Sequence, residues 1–115
     1  MEKKVEVSIL WEIYGKLLTK KQQEFIEDYY NNDLSLSEIA ENNEITRQAV
    51  RDIIKKGEKK LFEYEEKLGI MKRTLNQEKK IEKVLLELTK IQQNYSDKEI
   101  ANVLEHIKKE LNYLV

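Results

Sequence analysis

The chain has 115 residues, with 21 basic and 22 acidic side chains and a net charge of −1, enough for one hydrophobic core and short for two. A near-neutral balance argues against a protein that coats nucleic acid by charge alone. The absence of cysteine excludes disulfides and thiolate metal sites, and with no long apolar run and no signal-like N-terminus the protein is expected to be cytoplasmic, without membrane insertion. Proline is absent, glycine is confined to Gly15, Gly57 and Gly69, and Lys, Glu, Leu, Ile and Asn abound, which predicts an all-α fold with negligible strand.

Residues 3 to 17 predict an amphipathic helix with Ile9, Leu10, Ile13 and Leu17 at helical spacing and Trp11 and Tyr14 flanking them. Thr19 then caps a second helix whose Phe25, Ile26, Tyr29 and Tyr30 face a core, and Asn31-Asn32-Asp33 ends it. Aromatic residues at this spacing could stack on bases, but packing is the preferred reading. Next comes Leu34-Ser35-Leu36-Ser37-Glu38-Ile39-Ala40, followed five residues later by Ile45-Thr46-Arg47-Gln48-Ala49-Val50-Arg51. Ser35 and Glu38 have the spacing of a capping box, Ile39 and Ala40 face inward, and small Ala40 permits a close helix contact. Thr46 caps the following helix, with Val50, Ile53 and Ile54 on its inner face and Arg47, Gln48, Arg51 and Lys55 on its outer one.

This pair reads as a helix-turn-helix, the device that places its second helix in the DNA major groove. The outward residues are of types that read base edges or hold phosphates, so Thr46, Arg47, Gln48, Arg51 and Lys55 are the candidate nucleic-acid contacts. Charge is divided in the same sense. Residues 19 to 45 carry two lysines against seven carboxylates, whereas residues 46 to 60 carry six basic side chains against two acidic ones. The basic helix could therefore meet phosphate with the acidic surface turned away, although an ordinary solvated face would look similar.

No stop signal interrupts the recognition helix until Gly69, so it is expected to run from about Arg47 to Leu68, with Val50, Ile54, Gly57, Leu61, Tyr64 and Leu68 at alternating steps of four and three. Gly57 within that seam is either the place where a neighbouring backbone approaches closely or a tolerated weak point. Thr74 with Gln77, and Ser96 with Glu99, resemble two further capping boxes. They open helices carrying Ile81, Val84, Leu88, Ile91 and Tyr95, then Ile100, Val103, Leu104, Ile107, Leu111 and Leu114, so residues 75 to 114 predict an antiparallel helical hairpin with an apolar face. Its charges balance, so it does not read as a nucleic-acid arm. The expected division is a helix-turn-helix domain at 1–70 and a C-terminal extension at 71–115 that serves packing or homodimerisation.

Catalytic, cofactor and metal sites are not expected. His106 is the only histidine and reads as a surface or interface side chain near a helix C-terminus. Ser8, Ser35, Ser37 and Ser96 are isolated or explained as caps, no glycine-rich phosphate loop is present, and Glu63, Glu65 and Glu66 read as a solvated helix face.

From Leu18-Thr19 through Leu61 the chain resembles region four of bacterial sigma factors. It more closely resembles the YlxM family of small bacterial proteins, through Leu17-Leu18-Thr19-Lys20-Lys21-Gln22, Asp33-Leu34-Ser35-Leu36-Ser37-Glu38-Ile39-Ala40, Arg47-Gln48-Ala49-Val50 and Glu63-Tyr64-Glu65-Glu66-Lys67-Leu68. The match covers roughly residues 4 to 70, with the remainder similar only as a charged helical tail. The resemblance implies an all-helical protein with a regulatory role in the signal recognition particle pathway. Two functions follow as expectations: a DNA-binding regulator, or an accessory factor that binds the particle's protein or RNA without specific DNA binding. Sigma-like turns often place an apolar residue and then Gly or Asn where this chain has Asn43 and Glu44. Asn42 or Asn43 could take the left-handed conformation cheaply, and Glu44 adds negative charge near the expected phosphates, so modest DNA affinity is predicted.

Overall fold

The computed structural model describes residues 1–94 and 96–114. Among them are six α-helices and no strand: α1 (Lys3–Tyr14), α2 (Lys20–Ile26), α3 (Leu36–Asn43), α4 (Arg47–Leu68), α5 (Ile70–Asn94) and α6 (Lys98–Tyr113). They fall into two compact units, Met1–Met71 and Lys72–Val115.

In the first unit, α1 is shorter than its apolar pattern predicts, because the chain tightens into a 3-10 turn over Gly15–Leu17. The buried stripe is Val7, Leu10 and Tyr14, while Leu17 is exposed and Ile9 and Ile13 only half-buried. Two nearly equivalent apolar stripes run along this helix, and the one aligned with the neighbouring helices takes the core. Thr19 caps α2 as expected: its hydroxyl accepts from Gln22 N at 3.2 Å, and the Gln22 side chain accepts from Thr19 N at 3.1 Å. Phe25 and Ile26 are buried. Beyond them the helix widens into a π turn over Glu27–Asn31, which rotates the next side chains out of register. Tyr29 is therefore exposed and Tyr30 half-buried, contrary to the reading that places both in the core. Asp33 then turns the chain in the left-handed conformation at φ 54°, and Leu34 N returns to Asp28 O at 2.9 Å.

Helix α4 spans Arg47–Leu68 and stops at Gly69, whose φ of 62° is one that glycine adopts without a side-chain penalty. Val50, Ile54, Gly57 and Leu61 are buried along it, each apolar side chain worth roughly 1.5–3 kcal/mol on burial. The seam ends there, since Tyr64 is half-buried and Leu68 exposed. At Gly57 the close neighbour is a side chain and not a backbone: a Cβ added there would lie 2.6 Å from Ile26 Cδ1 and 3.3 Å from Gln22 Cβ.

In the second unit, Ile81 on α5 and Leu104 on α6 are buried. Gln92 donates to Glu105 at 3.2 Å, and Lys108 donates to Gln92 at 3.4 Å. Both expected capping boxes are displaced. Residue 70 already begins α5, leaving Thr74 and Gln77 inside the helix, because the first N–H groups of α5 find tertiary acceptors in Tyr14 and Glu65. At α6 the cap is Asp97, whose carboxylate accepts from Glu99 N at 2.8 Å, and not Ser96. Tyr95, assigned to the seam of this hairpin, lies outside the described residues.

Candidate nucleic-acid interface

The turn between α3 and α4 positions the candidate contacts. Ser35 and Glu38 form the expected capping box, with Ser35 Oγ accepting from Glu38 N and Glu38 Oε1 accepting from Ser35 N, both at 3.1 Å. Ile39 and Ala40 are buried. At the other end of α3, the Asn43 side-chain amide donates to Ile39 O at 2.8 Å, which keeps Asn43 helical. The left-handed residue is therefore neither Asn42 nor Asn43 but Glu44, at φ 55° and ψ 41°. Ile45 N donates to Ala40 O at 3.1 Å, closing a Schellman turn.

A non-glycine residue in this conformation costs roughly 1–2 kcal/mol. Glu44→Gly is accordingly expected to raise stability by about 1 kcal/mol, seen as an increase of a few degrees in Tm. A Tm equal to or below that of the unchanged chain would show that the Glu44 side chain compensates its own strain.

Thr46 starts α4 by accepting from Ala49 N at 3.0 Å. This uses an oxygen lone pair and not the hydroxyl proton, and the helix dipole adds positive potential at that end. Arg47, Gln48, Arg51 and Lys55 all emerge exposed, opposite the buried Val50, Ile54 and Gly57. Thr46 is exposed beside them. Gln48 is not idle, because its amide donates to Asp52 at 2.9 Å along the helix.

Sequence reasoning missed a concavity beside this stripe, lined by Lys3, Tyr29, Tyr30, Leu36, Arg51, Ile54, Lys55 and Glu58. Its polar floor is a bond from the Tyr30 phenol to the Glu58 carboxylate, with Lys3 Nζ 3.7 Å from the same carboxylate. Partial burial, then the hydrogen bond to Glu58, hold the Tyr30 phenol well above its ordinary pKa. The residues involved are as many as 55 positions apart, and no local periodicity links them. Among the described residues no group of His, Cys, Asp and Glu is arranged to hold a metal ion. His106 is exposed, 4.0 Å from Glu110. No described helix is long and apolar enough to cross a membrane.

The geometry is that of a helix-turn-helix, and comparison with known proteins agrees. Residues 1–107 match the model of the family UPF0122, described as "Putative helix-turn-helix protein, YlxM / p13 like". The chain belongs to this family. Among its UPF0122 relatives, one from Clostridium botulinum is 46% identical over 108 residues, covering 94% of this chain and 98% of the relative. One from Clostridium kluyveri is 46% identical over 115 residues, covering 100% and 97%. One from Listeria welshimeri is 41% identical over 107 residues, covering 93% and 96%. The family match reaches well past residue 70, so α5 and most of α6 belong to the UPF0122 pattern along with the helix-turn-helix.

Proposed function

We propose that the chain is a DNA-binding regulatory protein of the cytoplasm, whose residues 1–70 carry the reader and whose residues 71–115 serve packing or homodimerisation. Helix α4 enters the major groove, where Arg47, Gln48 and Arg51 face base edges while Thr46 and Lys55 hold phosphates. The supporting observation is that these residues share one exposed surface at the capped start of a helix whose opposite face is buried. The negative charge of Glu44 beside them implies modest affinity that falls steeply with salt.

The test is fluorescence anisotropy on a duplex selected from a random pool. Arg51→Ala is expected to cost on the order of 1–3 kcal/mol on the specific site, by loss of a bidentate contact to guanine. Lys55→Ala should weaken all sequences alike and lower the salt slope by about one. Combining alanines at Arg47, Gln48, Arg51 and Lys55 should abolish specific binding while the helical circular dichroism persists. A folded fourfold variant that binds as well as the unchanged chain would remove α4 from the interface.

A second reading has support in the second unit, where Val84, Ile91, Ile100, Val103 and Ile107 are exposed apolar side chains. Such side chains suit a protein partner or a second copy of the chain. On this reading the protein is an accessory factor that binds the signal recognition particle's protein or RNA, and the helix-turn-helix is a retained scaffold. Capture from lysate with DNase, with RNase and with neither separates the two, because DNase eliminates a DNA partner, RNase an RNA partner, and a protein partner survives both.

A further inference from the structure

We infer that the nucleic-acid surface continues beyond α4 as a groove for the phosphodiester backbone, in which Lys3 and Lys4 at the start of α1 extend the track begun by Arg51 and Lys55. This rests on the proposal that α4 meets a duplex. Along α4 the exposed stripe of Arg47, Arg51 and Lys55 runs next into Glu58, and a carboxylate there would end a phosphate track. Tertiary structure cancels that charge and covers the carboxylate. The Glu58 side chain is only 13% exposed and Lys3, 3.7 Å away, is 71% exposed; the Tyr30 phenol occupies a Glu58 oxygen as well. Solvent therefore meets an ammonium group where the sequence of α4 places a carboxylate.

The groove is continuous. Lys3, Tyr29 and Tyr30 line the concavity that holds Arg51 and Lys55, and they also line the adjoining one, which holds Lys4, Leu34 and Ser35. Tyr29 stands in the wall common to both, braced edge-on against Tyr30 with ring centroids 5.2 Å apart. Its phenol is of a type that donates to phosphate oxygens. One opposing charge is left uncovered, Asp33, 3.8 Å from Lys4 Nζ. That pair is solvent-exposed on both sides and correspondingly weak, so a phosphate can displace it. Four cationic side chains along one groove, with one of its two carboxylates covered, match the backbone of a duplex already engaged by α4.

The test is a salt series of anisotropy titrations with the full chain on the selected duplex, comparing Lys3→Ala/Lys4→Ala with the unchanged protein. The double variant is expected to bind about tenfold more weakly to every sequence, and its log–log salt slope should be shallower by about two, one for each lost phosphate contact. Lys3→Arg/Lys4→Arg should restore the slope, because the phosphate contacts depend on positive charge at these positions. If Arg51→Ala weakens binding while the double alanine variant matches the unchanged chain in affinity and slope, the extension is overturned and the α4 reading stands. If the unchanged chain binds no duplex, or binds a single strand of the same sequence more tightly, both are overturned.

Discussion

Replacing Glu65 by alanine is expected to lower the unfolding free energy by roughly 2–3 kcal/mol, although the residue sits in a run of glutamates that reads as a solvated helix face. Tyr14, with 1% of its surface exposed, donates its phenolic proton to Glu65 Oε1 at 2.8 Å. The same phenolic oxygen accepts from Ile70 N at 3.2 Å, and Glu65 Oε1 accepts from Met71 N at 2.9 Å. The first N–H groups of a helix have no partner within it. One carboxylate and one phenol thus satisfy each other and begin α5 immediately after Gly69. Alanine at position 65 leaves the buried phenol without this acceptor and Met71 N–H unpaired. Tyr14→Phe keeps the Glu65–Met71 bond and should cost less, about 1 kcal/mol. The double variant should cost less than the sum of the two, since both changes break the same bond. Urea denaturation checks all three, and a loss below about 0.5 kcal/mol for Glu65→Ala, the scatter of ordinary surface substitutions, would show that the network does not hold the corner.

The second large effect is expected at Gly57. A bare Cβ there would already lie 2.6 Å from Ile26 Cδ1, and Ile26 is completely buried, so the isoleucine has little room to yield. Gly57→Leu should therefore destabilise by about 3 kcal/mol, the upper part of the usual range for overpacking. Gly57→Ala sets two effects against each other, since the helix gains about 1 kcal/mol from the better helix former while Ile26 and Gln22 must shift. The ordering unchanged, Ala, Leu in falling Tm is the expected result. A leucine variant as stable as the unchanged chain would mean that α2 moves away from α4 at little cost. Because α2 and α4 meet at this point, such a movement would also disturb the groove between Tyr30 and Glu58.

Features set by neighbours in the chain are legible in the sequence itself. The caps at Thr19, Ser35 and Thr46 each depend on a side chain reaching an N–H three residues away, and Gly69 ends α4 because of its own backbone freedom. The exposed stripe of Arg47, Gln48, Arg51 and Lys55 follows from helical periodicity once Val50 and Ile54 are turned inward. Chain order alone therefore determined the all-α architecture, the extent of α4 and the face of it that meets solvent.

Tertiary structure decided what periodicity leaves degenerate. On α1 two apolar stripes compete, and packing chose Val7, Leu10 and Tyr14. The π turn after Ile26 moved Tyr29 to the surface, and the Asn43 amide committed itself to Ile39 O, passing the left-handed turn to Glu44. Helix α5 begins at Ile70 and not at the local cap signal of Thr74 because Tyr14 and Glu65, 51 positions apart, together supply its acceptors. The covering of Glu58 by Tyr30 and Lys3 has the same origin. A helix cap is encoded within a few residues and survives as a sequence signal, whereas a hydrogen bond or ion pair between distant helices exists only once the core has brought them together.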